Sequence, residues 1–127
     1  MTGRVVHFEL PYDDPARAKA FYQEAFGWAI SDVPGMDYTV VTTVASDEAG
    51  TPTEPGAING GMARRQEPLT APMIVIEVDD IERALDTVEK LGGKVVQGRR
   101  EVGAMGFTAY VADPAGTVLG LWEDKQD

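Results

Sequence analysis

The chain has 127 residues, no cysteine, and 21 acidic against 11 basic side chains, for a net charge of −10. That length suits one compact domain with its own core, and without cysteine there is no disulfide framework, thiolate nucleophile or cysteine metal site, so the cytoplasm is the expected compartment. The acidic balance argues against a nucleic-acid partner, whose phosphates are gripped by clustered Lys and Arg, and no apolar run is long enough for a membrane partner to be expected.

Met1 to Val6 leads directly into a strand pattern rather than a signal peptide. Val5 to Leu10 reads as a strand. Asp14-Pro15 then marks a helix start, with Asp14 as N-cap and Pro15 at the first helical position. Ala18, Phe21, Tyr22 and Ala25 recur at helical spacing, and Gly27 ends the helix. Strands are expected at Trp28–Asp32, Tyr38–Val44 and Ala57–Ala63. Between the last two, residues 45–56 form a polar loop rich in Pro and Gly, expected to be the most mobile part of the first half.

Arg64 to Pro72 reads as a linker. Met73 to Val78 is the next strand, and Asp80 caps a helix whose apolar stripe is Ile81, Ala84, Leu85 and Val88. Gly92-Gly93 stops it. Lys94–Gly98, Phe107–Ala112 and Thr117–Glu123 complete the strands, with Asp113-Pro114-Ala115-Gly116 as the last turn.

The second half repeats the first. His7 through Ala18 lies over Met73 through Ala84 without a gap, an offset of 66 residues. Asp13, Asp14, Arg17 and Ala18 recur as Asp79, Asp80, Arg83 and Ala84, and Gly27 recurs as Gly93. The reading is an α+β fold in a single domain: two βαβββ modules, about 1–63 and 73–127, joined by a linker over 64–72. A unit this small cannot bury its apolar face alone, so the copies must pack together, and the groove between them is a natural ligand site.

Alternation sorts the side chains by face. Val6, Phe8 and Leu10 are fit to lie under a helix, whereas His7 and Glu9 point the other way. Ile74, Ile76 and Val78 oppose Met73, Val75 and Glu77. Leu119 and Leu121 oppose Gly120 and Trp122. A curved, cup-like mixed sheet with its helices outside would turn His7, Glu9, Met73, Val75, Glu77, Gly120 and Trp122 inward.

Two βαβββ modules, the first-strand His7, Phe21-Tyr22 fourteen residues on, Gly27, and Asp113-Pro114-Ala115-Gly116 before the last strand resemble the vicinal oxygen chelate superfamily. That group includes glyoxalase I, the bleomycin-resistance proteins and the extradiol dioxygenases. The resemblance implies a site built from inward residues on four strands, which in metal-dependent members are His and Glu. Carried over, the four positions fall on His7, on Asn59 or Gly60, on Met73, and on Gly120. Only His7 matches, and one neutral imidazole cannot hold a divalent ion tightly. Glu9 and Glu77 share the inward face but stand roughly 7 Å and 13 Å further along their strands. Glu123 alternates to the opposite face from Gly120.

The remaining motifs have structural readings. The two Asp pairs precede helices and suit capping. Gly60-Gly61 and Gly92-Gly93 lack the spacing of a phosphate loop, and Arg64-Arg65 and Arg99-Arg100 suit solvated loops. Of the aromatic residues, Trp28, Trp122, Tyr38, Tyr110 and Phe107 are candidates for a ligand wall. Trp122 leads because it faces inward beside Gly120, where the missing side chain leaves binding volume. The expected function is binding of a small organic ligand, cationic or aromatic, by His7, Glu9, Asn59, Met73, Glu77, Gly120 and Trp122, without a tightly bound metal and as a homodimer. Two alternatives are a metal-dependent lyase, isomerase or dioxygenase using His7 with non-standard partners such as Glu9 or Glu77, and a metal-free acid–base enzyme using His7, paired with Glu9 or Glu77.

Overall fold

The computed structural model of the chain describes residues 3–48 and 51–125. Its elements run β1 (Val5–Tyr12), α1 (Pro15–Phe26), β2 (Ala29–Asp32), β3 (Thr39–Thr42), β4 (Asn59–Arg64), β5 (Met73–Glu77), α2 (Ile81–Lys90), β6 (Lys94–Val102), β7 (Gly106–Ala112) and β8 (Val118–Asp124). This is the α+β arrangement of two βαβββ modules. The strand ends differ from expectation for local reasons. β3 stops at Thr42 because the backbone of Thr43 and Val44 is captured by the Asn59 side chain. β6 runs on to Val102, pairing with β7 through two register shifts that flank Gln97. Such bulges let a strand bend and continue past a mismatch.

The chain divides into two compact units, His7–Pro72 and Met73–Asp127 with Met1–Val6. The opening residues group with the second unit through backbone pairing: Gly3 N–H donates to the Glu77 carbonyl at 2.8 Å, and Glu77 N–H donates to the Arg4 carbonyl at 2.9 Å.

In the first unit the strand order is β2-β3-β4-β1. β1 and β4 are parallel, with His7 opposite Asn59 and Glu9 opposite Gly61. α1 starts where Asp14 accepts from the Arg17 amide at 3.2 Å. It ends at Gly27, whose φ of 73° is the left-handed conformation that glycine adopts most cheaply. The core consists of Tyr12, Val41 and Met62, with Phe8, Leu10, Tyr22 and Trp28 packed around them. Phe8 lies over Gly60, where a β-carbon would come within 2.6 Å of the ring. Trp28, partly buried, stacks on Tyr22 at 5.0 Å and belongs to this packing.

The 45–56 loop is partly pinned. Thr51 N–H donates to the Asp47 carboxylate at 3.0 Å, and Thr53 N–H donates to the Ala45 carbonyl at 2.9 Å. Residues 49 and 50 of this loop lie outside the described residues.

In the second unit the order is β5-β8-β7-β6, with β5 and β8 parallel and Val75 opposite Gly120. α2 lays Ile81 and Leu85 on Ala109, Val111 and Leu121. Asp80 caps the helix through the Arg83 amide at 3.3 Å, and the Glu123 carboxylate accepts from the Ile81 amide at 2.8 Å. No helix among the described residues is long and apolar enough to cross a membrane.

Candidate functional site

On the first unit, β1 packs Phe8, Leu10 and Tyr12 into the helix-side core, Tyr12 buried and the other two partly so, and alternation sends His7 and Glu9 to the other face. His7 Nε2 lies 2.9 Å from the Tyr38 hydroxyl. Tyr38 immediately precedes β3, and its hydroxyl lies over Gly61: a β-carbon there would sit 1.7 Å from the oxygen. Burial pushes the His7 pKa down from 6.5 to about 4, so the imidazole is neutral at neutral pH. A neutral imidazole and a phenol can each donate or accept, and the tautomer decides which does. Glu9 is 8% exposed and stands opposite Gly61.

Asn59 is fully committed. Its Oδ1 accepts from the Thr43 amide at 2.7 Å, the Thr43 hydroxyl at 3.1 Å and the Val44 amide at 3.1 Å. Its Nδ2 donates to the Val44 carbonyl at 3.3 Å and the Ser46 hydroxyl at 2.8 Å. An amide with both ends engaged in this way serves as an anchor for the chain leaving β3, with little capacity left for a ligand.

On the second unit, Met73 and Val75 are both buried. They converge on Gly120, where a β-carbon would stand 3.0 Å from Val75 Cγ2 and 3.5 Å from Met73 Sδ. The volume expected to open beside Gly120 is therefore occupied by these two side chains, because apolar interiors close to native density. Glu77 Oε1 accepts from Arg4 Nη2 at 2.6 Å. Trp122 lies against Gly106 and donates its indole N–H to the Asp124 carboxylate at 2.6 Å. Glu123 faces α2 and lies 3.9 Å from Arg99. Phe107, another wall candidate, is packed into the α2 cluster and covered by the Arg99 guanidinium at 3.6 Å.

The structure thus brings His7 and Asn59 side by side on neighbouring strands, and gathers Met73 and Gly120 around Val75. Tyr38 is the site residue whose bond to His7 the sequence did not reveal. Its signal was Gly61, since a glycine inside a strand marks a close approach by another group. The four positions carried over from metal-dependent proteins hold an imidazole already bonded to a phenol, a saturated amide, a thioether and no side chain. Among the described residues no group of three or more His, Cys, Asp or Glu could hold a metal ion. This donor set does not fit a hard divalent cation.

Residues 4–44 match the family model described as bleomycin resistance protein-like N-terminal. CFP32 of Mycobacterium tuberculosis, which carries a glyoxylase name, is 32% identical over 120 residues, covering 91% of this chain and 43% of that protein. The chain therefore spans less than half the length of this relative. A glyoxylase-like domain-containing protein of Didymella fabae is 31% identical over 96 residues, covering 72% of this chain and 70% of that protein. Among solved structures, a superfamily member from Vibrio splendidus matches with a TM-score of 0.63 at 18% identity, covering 98% of this chain and 100% of that one. With two βαβββ modules, a shared N-terminal pattern and these relatives, the chain belongs to the glyoxalase/bleomycin resistance protein/dioxygenase superfamily, the vicinal oxygen chelate group.

Proposed function

We propose that the protein binds a small organic ligand without a tightly held divalent metal. The observation that carries this reading is the engagement of His7. It is the chain's one histidine, and its Nε2 already meets the Tyr38 hydroxyl. Asn59 is spent on the loop, while Met73 and Gly120 offer no hard donor. A cationic aromatic ligand is favoured by Trp122, whose indole lies beside the Asp124 carboxylate, because a cation is attracted both by a ring face and by a nearby anion. The match to a bleomycin resistance protein-like model over the N-terminal third agrees with this ligand class. Pairing of two copies as a homodimer in the cytoplasm belongs to the same reading, and size-exclusion chromatography with light scattering tests the pairing.

The experiment that tests the main reading is metal content after loading with Fe, Mn, Ni and Zn in turn, followed by titration with ethidium read by Trp122 fluorescence. Metal well below one per chain and saturable quenching lost in Trp122→Phe are expected. Near-stoichiometric metal that disappears in His7→Ala overturns it, and redirects the reading to a metal-dependent enzyme of this superfamily. The hydrogen bond between His7 and Tyr38 favours a second reading, metal-free proton transfer. A neutral imidazole bonded to a phenol can accept a proton as well as hold a ligand. Under that reading His7→Ala keeps ligand affinity but loses turnover.

A further inference from the structure

The first unit carries a cleft of about 400 Å³ bounded by the start of α1, the β2–β3 connection and the end of β4. Tyr38 is the lining residue it shares with the His7 face. In a chain with nearly twice as many acidic as basic side chains, this cleft is balanced: Lys19, Arg64, Asp32 and Asp37 all belong to its lining. The two pairs differ in how fully they are satisfied. Lys19 Nζ donates to Asp32 at 2.6 Å, and Thr39 adds a second bond to the same carboxylate at 3.0 Å. Arg64 and Asp37 are each held by one long hydrogen bond, and both lie against Tyr12. The guanidinium makes a 3.4 Å bond to the Asp13 carbonyl and stands 5.7 Å from the Tyr12 ring centroid. The Asp37 carboxylate accepts from the Tyr12 hydroxyl at 3.5 Å.

Those long single contacts leave a guanidinium and a carboxylate with donors and acceptors to spare in one cavity, next to the exposed apolar side chain of Met36. A simple anion meets two carboxylates there, and a simple cation meets Lys19 and Arg64. A molecule carrying both charges satisfies Arg64 with its carboxylate and Asp37 with its ammonium. We propose that this cleft is a second binding site, distinct from the His7 face, for a zwitterion of the α-amino-acid class with a large apolar side chain.

The test is a heteronuclear NMR titration of the full chain with L-phenylalanine, alongside hydrocinnamate, which lacks the ammonium, and phenethylamine, which lacks the carboxylate. Saturable shifts are expected at Ala16, Met36, Asp37 and Thr39, with each single-charge analogue binding roughly tenfold more weakly, as loss of one charged hydrogen bond dictates. Asp37→Asn and Arg64→Gln should each weaken L-phenylalanine by a similar factor while the other cross-peaks stay in place. Asp37 is exposed, so its variant separates binding from folding. The proposal is overturned by shifts that never appear up to the solubility limit, or that map away from the cleft. Analogues binding as well as L-phenylalanine, or an Asp37→Asn protein that binds it unchanged, also overturn it. None of these results bears on ethidium binding, so the two sites fail independently.

Discussion

The Tyr38 hydroxyl stands 2.9 Å from His7 Nε2 and fills the space that a β-carbon would occupy at residue 61. Three residues from three segments of the chain therefore form one unit: the glycine admits the tyrosine, and the tyrosine engages the histidine. Gly61→Ala would put a methyl group 1.7 Å from the phenol oxygen and should displace the ring, breaking the bond to His7. Overpacking of this kind costs about 1–3 kcal/mol. In a Tyr38→Ala background the three atoms nearest that methyl group are gone, so the two substitutions should couple by roughly 1 kcal/mol or more. Urea denaturation of the four proteins measures the coupling, and equal costs in both backgrounds would remove Tyr38 from above Gly61.

His7 also makes a prediction about pH. Burial lowers its pKa from 6.5 to about 4 in the folded protein, so between those values the unfolded chain takes up a proton that the folded one refuses. Stability must then fall as pH falls through this window and level off below it. The shift corresponds to about 3 kcal/mol at most. Carboxylates titrate in the same range, but they are common to wild type and His7→Gln, so the difference between their two stability curves isolates the imidazole. A difference curve that stays flat from pH 6.5 to pH 4 would show that His7 protonates as easily folded as unfolded.

The elements were legible because their signals are local. Asp14-Pro15, Gly27 and Asp80 each fix a helix end within a few residues, and apolar alternation fixes which side of β1 and β5 meets a helix. The site was less legible because its side chains are committed by partners distant in sequence. Asn59 reads as an inward ligand position from its own strand, and only the capture of Thr43 and Val44, about 15 residues earlier, shows that it is spent. Gly120 reads as space until Val75 and Met73, on a parallel neighbour, are seen to fill it. Tyr38 reads as the first residue of a strand, whereas β3 begins one residue later at Thr39, so alternation along that strand does not pair its hydroxyl with His7.

The commitment of Asn59 can be measured directly. Asn59→Ala strips acceptors from the Thr43 and Val44 amides and a donor from the Val44 carbonyl. Leaving such groups unpaired costs about 1–3 kcal/mol, and amide exchange at Thr43 and Val44 should accelerate. Asn59→Asp keeps an acceptor for the two amides but cannot donate to Val44 or Ser46, so it should fall between wild type and alanine. A stable Asn59→Ala protein with unchanged exchange would mean that the loop is held by other bonds, and would return Asn59 to the ligand-binding candidates.

Gly120 separates an empty site from a filled one. If the glycine marks a cavity, added atoms are tolerated; if Val75 and Met73 already fill it, they are not. The nearest atom, Val75 Cγ2, is 3.0 Å from the position of a new β-carbon, tight enough that the valine must shift by a few tenths of an ångström. Gly120→Ala should therefore cost a modest amount, about 1 kcal/mol. In a Val75→Ala background that cost should vanish, because the clashing methyl group is gone. Gly120→Glu asks far more, since it drives a carboxylate against a buried thioether and a buried isopropyl group, with the desolvation penalty of an unpaired charge. It should unfold at markedly lower urea than Gly120→Ala. A Gly120→Glu protein as stable as wild type would show that the packing around Val75 and Met73 leaves room for a side chain there.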